Sequence, residues 1–270
     1  YTFNQATKIK NVMIVGSGPA GLYAAYVASK RGHHVTVYES QNKLGGQFRI
    51  AALPPAKSLL SGPLRFWIQE GKKNNVAYIL NTTVTKELIM EKQPDVVILA
   101  TGAKQSRPSI EGINRENVFM ANDVIEGKVK IGRNVLIAGA GLVGLETADF
   151  LRERGGRTST IIDMISTIDY GVLGVGTHLH QRLDSNQTKY ILGASIKKIT
   201  EDGAIYTQNG LEKRAYGFDS IIIALGSKSY NPLESEIKDL VNELYVIGDA
   251  SKVGQANKAT EEAAAVAFKI

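Results

Sequence analysis

The chain has 270 residues, enough for one large domain or two of ordinary size, and 43% apolar content fits a globular protein with a real core. Its net charge of +6 is spread among interspersed acids, with no basic stripe carrying aromatics, and no apolar run approaches the ~20 residues that span a bilayer, so neither nucleic acid nor a membrane is an expected partner. Cysteine is absent, which excludes disulfides, a C-x-x-C dithiol and a cysteine-ligated iron–sulfur cluster within these residues and is compatible with a cytoplasmic location.

Tyr1 to Lys10 reads as a polar lead-in, and a start without methionine suggests part of a longer protein. Val12-Met13-Ile14-Val15 is a short apolar run suited to a strand buried on both faces. Gly16-Ser17-Gly18-Pro19-Ala20-Gly21 follows. Gly16 allows a tight turn, Gly18 removes a side chain where a pyrophosphate approaches, and Gly21 lets the next helix lie close to the sheet. That helix, from about Ala20 to Lys30, points free N–H groups and its positive dipole end at the same place. A second strand, Val35 to Tyr38, ends in Glu39, where an acid grips a ribose hydroxyl. A loop from Ser40 to Lys43 leads to Leu44-Gly45-Gly46-Gln47, whose paired glycines suit either backbone passing close to a ligand or a plain turn.

Leu53-Pro54-Pro55 breaks the chain, and Pro63 to Lys73 predicts a helix with Leu64, Trp67 and Ile68 on one face, Trp67 belonging to the core. Val76–Leu80 and Thr82–Thr85 read as short strands, and Asp95 to Ala100 as a buried strand ending at Thr101-Gly102. Arg107-Pro108 to Gly112 marks a first crossing between domains. Asn122 to Ile125 suggests a short helix capped by Asn122 or Asp123.

The opening device then recurs. Gly139, Gly141 and Gly144 repeat the spacing of Gly16, Gly18 and Gly21, Asn134-Val135 repeats Asn11-Val12, and Asp163 falls where Glu39 fell. Tyr170 to Gly176 reads as a flexible loop before a helix over about 177–184. His178 and His180 lack a third ligand nearby, so no metal is expected. Ala204–Thr207 and Arg214–Tyr216 form a hairpin about Gln208-Asn209-Gly210. Asp219 to Gly226 repeats the pattern of Asp95 to Gly102, and Asn231-Pro232 marks the return crossing. Leu244 to Ala250 is a last strand ending in Gly248-Asp249, before a helix from about Lys258. The expected fold class is α/β: two three-layer Rossmann-like domains, the first from 1–107 and 229–270, the second inserted as 108–228. Two dinucleotide sites imply two nucleotide cofactors, and electron transfer is the simplest chemistry that needs both.

This pattern resembles the flavoproteins with two dinucleotide-binding domains. A closer similarity lies in Leu44-Gly45-Gly46-Gln47-Phe48-Arg49, Ala121-Asn122-Asp123-Val124, Gly127-Lys128-Val129 and Gly141-Leu142-Val143-Gly144-Leu145-Glu146-Thr147-Ala148. These runs look like the C-terminal region of the old-yellow-enzyme-like NADH:flavin oxidoreductases, the group of dienoyl-CoA reductase, enoate reductase and trimethylamine dehydrogenase. The resemblance covers nearly the whole chain, with one departure: Gly254-Gln255-Ala256-Asn257-Lys258 stands where similar proteins carry a Pro-Arg-Lys-like run.

The resemblance implies FAD on the first domain, with Gly16, Gly18, Pro19, Ala20, Gly21, Glu39, Ser40, Gly45, Gly46, Gln47, Ala100, Thr101, Gly102, Gly248 and Asp249 as candidate contacts. It implies NAD(H) on the second, near Gly139, Gly141, Leu142, Val143, Gly144, Glu146, Asp163 and Gly226. Asp163 favours NADH over NADPH, since a 2′-phosphate there meets like charge. Hydride transfer between two bound rings needs little protein acid–base chemistry, so no catalytic side chain is expected. FMN and a 4Fe-4S cluster would belong to an N-terminal barrel partner region outside these residues. Two alternatives stay open: an ADP-holding structural module, as in trimethylamine dehydrogenase, and a stand-alone ferredoxin-type reductase.

Overall fold

The computed structural model describes residues 3–168 and 175–270. The chain divides into two compact units, one made of Tyr1–Ala52, Ser58–Lys104 and Lys228–Ile270, the other of Leu53–Lys57 and Gln105–Ser227.

The first unit begins with β1 (Asn11–Val15), α1 (Pro19–Lys30), β2 (His34–Tyr38) and α2 (Gly46–Ala51). It continues through α3 (Ser61–Lys73), β3 (Ala77–Ile79), α4 (Lys86–Lys92) and β4 (Val96–Leu99), and the chain leaves it along β5 (Ala103–Gln105). In β1 the side chains alternate between two cores, Val12 and Ile14 toward α1 and Met13 and Val15 toward the opposite face. All four residues of β4 are fully buried, which is why that strand reads as an unbroken apolar run.

The second unit runs β6 (Val118–Met120), α5 (Ala121–Ile125), β7 (Asn134–Ala138), α6 (Leu142–Glu153) and β8 (Thr158–Ile162). Then follow α7 (Val175–Ser185), β9 (Lys189–Ile191), β10 (Ala194–Thr200), β11 (Gly203–Gln208), β12 (Leu211–Ala215) and β13 (Ser220–Ile223). Its parallel sheet has the order β6-β13-β7-β8-β9. Helices α5, α6 and α7 bury Val124, Leu145, Leu151 and Leu183 on one face. The antiparallel sheet β10-β11-β12 buries Ile199, Ala204 and Tyr206 on the other. The expected hairpin is β11–β12, and its turn residues Asn209 and Gly210 both have positive φ, 53° and 75°, as a tight hairpin turn requires.

The chain returns along β14 (Ser227–Ser229), which pairs with β5, then α8 (Glu234–Ile237), β15 (Glu243–Val246) and α9 (Ala256–Lys269). The first unit's sheet is thereby completed as β15-β4-β1-β2-β3, parallel throughout. The two five-stranded sheets thus share one spatial plan, β1, β2, β3 and β4 corresponding to β7, β8, β9 and β13. Among the described residues no helix is long and apolar enough to cross a membrane.

Several local expectations are corrected. Thr82–Thr85 is not a strand: Thr85 is the N-cap of α4, its hydroxyl accepting the Leu88 N–H at 3.4 Å. Neither α4 nor α2 was expected. Met120 stands at the N-cap of α5, so Asn122 and Asp123 lie inside its first turn and cap nothing. Residues 3–10 are pinned down, since Phe3 lies 5.5 Å from the Tyr26 ring and 5.9 Å from Phe268, and Lys10 pairs with Glu243. Trp67 packs edge-on against Tyr23. The loop expected at 170–176 falls mostly in 169–174, outside the described residues.

His33, in the turn from α1 to β2, is 4% exposed. Its Nδ1 accepts the Lys10 N–H at 3.2 Å, and its Nε2 is buried with no partner among the described residues. Burial lowers its pKa, reinforced by Arg31, Lys10 and His34 and opposed by Glu243. The folded state therefore favours neutral imidazole. The stability this confers is complete above the ordinary value of 6.5 and is lost as pH falls below it toward the lowered one. Thermal melting is expected to drop on acidification through that window, and His33→Asn, which retains an acceptor for Lys10, is expected to flatten the drop.

Candidate functional site

The first site is built where β1 turns into α1. Gly16 has φ +104°, and a Cβ there would strike the carbonyl of Ala100, at the end of the neighbouring strand β4. A Cβ on Gly21 would strike the carbonyl of Gly16. These two glycines bring strand, loop and helix together. Gly18 differs, because a Cβ there would meet nothing within 4 Å among the described residues. Its missing side chain opens space outward, as a phosphate approaching the backbone requires. Helix α1 has no side-chain cap and no acid in its first turn, and Pro19 at its start removes one N–H. The remaining terminal N–H groups need an acceptor, and the dipole favours an anion.

Glu39 at the end of β2 is 7% exposed. One of its oxygens, Oε2, accepts both the N–H and the hydroxyl of Ser17, at 3.0 and 2.5 Å. The other, Oε1, accepts the Gln41 N–H at 2.8 Å and the Ser40 hydroxyl at 3.3 Å. The acid thus holds the glycine loop, and its Oε1 borders exposed Ser40. Gly45 donates its N–H to the Ser17 carbonyl at 2.9 Å, and a Cβ on Gly46 would lie 3.0 Å from the Gly18 Cα. The paired glycines therefore pass directly against the loop.

Other expected positions of this unit surround the same strand ends. Thr101 donates its hydroxyl to the Tyr230 carbonyl at 2.5 Å, and Gly102 accepts the Tyr230 N–H at 2.9 Å. The Gln47 side chain donates to the Ala103 carbonyl. Gly248 begins a 3-10 turn with φ +62°, near Ala20, and its N–H goes to Glu262 of α9 at 2.7 Å. Asp249 accepts the Gly254 N–H at 3.0 Å, so the departing run 254–258 folds back on the Gly-Asp pair. Helix α9 also begins without a side-chain cap or an early acid.

The second site repeats the first. Cβ atoms at Gly139 and Gly144 would strike the carbonyls of Ala224 and Gly139, while a Cβ on Gly141 would again meet nothing within 4 Å among the described residues. Helix α6 lacks a side-chain cap and an early acid, and its first residues, Leu142 and Val143, are 49% and 41% exposed. Asp163 Oδ2 accepts the Ala140 N–H at 2.6 Å, and Oδ1 the Ile165 N–H at 3.1 Å. Gly226, with φ +77°, follows β13 as Gly102 follows β4. Glu146 is taken by an ion pair, its Oε1 2.5 Å from Lys57 Nζ, so its charge is already answered.

Ser17, Glu262 and Lys57 were not among the expected site residues. Ser17 lies inside the glycine motif, and its side chain could have been suspected there. Glu262 and Lys57 sit far along the chain from their partners, with no local signal. Among the described residues no three His, Cys, Asp or Glu side chains gather as a metal site would need.

The sequence model for pyridine nucleotide-disulphide oxidoreductases matches residues 10–263. The NADH oxidase of Thermoanaerobacter brockii is 35% identical over 98% of this chain and 42% of its own length. The cinnamate reductase of Clostridium sporogenes is 35% identical over 94% of this chain and 38% of its own. A solved 2-naphthoyl-CoA reductase, in complex with 2-naphthoyl-CoA, superposes with a TM-score of 0.93 at 30% identity, over 100% of this chain and 41% of that one. The chain spans about two-fifths of the length of these relatives. The similarity to the enoate-reductase group read from the motifs is upheld by them. On the match across 10–263, the chain belongs to the pyridine nucleotide-disulphide oxidoreductase family, whose members bind FAD and NAD(P)H.

Proposed function

We propose that this chain is the dinucleotide-binding part of an NADH-dependent flavin oxidoreductase, with FAD on the first unit and NADH on the second. One observation carries the reading. Twice in one chain, an outward-facing glycine stands at an uncapped helix, behind it an N–H donated to a strand-end carboxylate: Ser17 to Glu39, and Ala140 to Asp163. The residues present fit the two groups. FAD held in the first site would supply a hydride acceptor, and NADH held in the second would supply the hydride.

The chain's own part is binding and orientation. Terminal N–H groups of α1 and α6 take the pyrophosphates, Gly18 and Gly141 admit them, and Glu39 and Asp163 accept ribose hydroxyls. No acid or base is required of the protein for a direct hydride transfer. The 270 residues hold no cysteine, so reducing equivalents do not pass through a dithiol within them.

For the longer protein we propose a substrate with a carbon–carbon double bond activated by a carbonyl, in the manner of a dienoyl-CoA or enoate reductase. The relatives named cinnamate reductase and 2-naphthoyl-CoA reductase support this. FMN and a 4Fe-4S cluster would then lie outside these residues, and the encoded chain preceding Tyr1 would show a barrel and a cysteine cluster.

Anaerobic NADH is expected to bleach the yellow flavin at least about tenfold faster than NADPH, and an equal response to both overturns the preference. Asp163→Ala is expected to raise KM for NADH about tenfold, the scale of one lost charged hydrogen bond, while flavin content stays unchanged. A colourless protein carrying ADP would replace the flavin reading with a structural module.

The two sites can be separated by overpacking them one at a time, at a cost of about 1–3 kcal/mol each. Gly144→Ala forces a methyl into the Gly139 carbonyl and is expected to abolish reduction by NADH with the flavin retained. Gly21→Ala does the same to the Gly16 carbonyl and is expected to lose flavin while NADH still binds, as read by nucleotide fluorescence.

A further inference from the structure

The two copies differ in how firmly the strand-end acid is held. Glu39 receives four donors, two from Ser17 and one each from Ser40 and Gln41. Asp163 receives two backbone N–H groups among the described residues, from Ala140 and Ile165. Each acid takes two backbone N–H groups; the two further donors on Glu39 are hydroxyls, the buried one of Ser17, where the other copy has Ala140, and the exposed one of Ser40, where it has Met164.

Ser17 is fully buried, so its hydroxyl cannot turn to water. The Gly45 N–H, bonded to the Ser17 carbonyl at 2.9 Å, also reaches the Ser17 hydroxyl oxygen at 3.3 Å. The hydroxyl proton is then committed to Glu39 Oε2, since an ionised carboxylate can only accept. Backbone and side chain of one residue grip the same oxygen and leave the other, Oε1, to Gln41 and Ser40. There the exposed Ser40 hydroxyl, at 3.3 Å, is the weakest donor and the one a ribose hydroxyl can replace.

We infer that Ser17 is a positioning residue, which acts through Glu39 to retain the ribose of the nucleotide in the first site. The copy with Ala140 in its place lacks that hold and suits a nucleotide that leaves at every turnover. The inference rests on the assignment of a resident flavin to the first unit and an exchanging nicotinamide nucleotide to the second.

The test uses the whole chain loaded with FAD. Release is followed by flavin fluorescence after dilution, and the site is probed by displacement with ADP and with 2′-deoxy-ADP. Ser17→Ala is expected to release FAD about tenfold faster and to bind ADP about tenfold more weakly, with little change for 2′-deoxy-ADP. In a Glu39→Gln background the same substitution is expected to add almost nothing, because the two residues act as one unit. Unchanged FAD release in Ser17→Ala overturns the inference. So does equal weakening of ADP and 2′-deoxy-ADP, which would mark a packing fault. A wild-type chain that holds neither FAD nor ADP fails before any variant is compared, and that outcome removes the flavin assignment itself.

Discussion

A carboxylate at the end of one strand accepts the N–H of the residue lying between two glycines at the end of the next, and both sites depend on this bond. Glu39 binds Ser17 across β2 and β1, and Asp163 binds Ala140 across β8 and β7. The bond ties each glycine loop to the sheet from behind, so the loop's other side can face a phosphate. It also satisfies a backbone donor that a tight turn would otherwise leave unmatched. Around it the strand neighbours must come very close, and they can only because Gly16, Gly21, Gly139 and Gly144 carry no Cβ.

The two units carry one spatial plan on different connections. In the first, the edge strand beside β4 is β15, which arrives after the whole second unit has been made. In the second, the corresponding edge strand β6 comes before its own glycine loop. The parallel sheet accepts either route, since ladder hydrogen bonds depend on where a strand lies and not on when it was made. That tolerance lets one unit be interrupted by another with each core complete. In the first, Ile247 and α9, from the far end of the chain, close over Ile14 and Ile98.

Much of the site was legible in the residues because its constraints are local. Glycines with fixed spacing, an apolar run before them, a helix after them and an acid at the next strand's end lie within one short stretch. Each is demanded by backbone geometry or by a charge. Elements whose reason for being is distant were not legible. Thr82–Thr85 has the β-branched content of a strand, yet no neighbouring strand takes it, and the Thr85 hydroxyl finds a helix to cap. Residues 3–10 look like an idle polar arm, but Phe3 reaches aromatic rings on α1 and α9. Nothing near Pro54-Pro55 announces that Lys57 meets Glu146.

By itself the sequence determined the duplicated nucleotide loops, the apolar strands that carry them and the two acids, because period, glycine spacing and charge act over a few residues. Only the tertiary structure decided how each carboxylate is divided among its donors and which acids are spoken for. It turned Glu39 toward Ser17, gave Glu146 to Lys57 and set Glu262 beneath Gly248. Hydrogen-bond partners are chosen by proximity after the chain has folded, and no pattern along the chain encodes which distant groups will then stand about 3 Å apart.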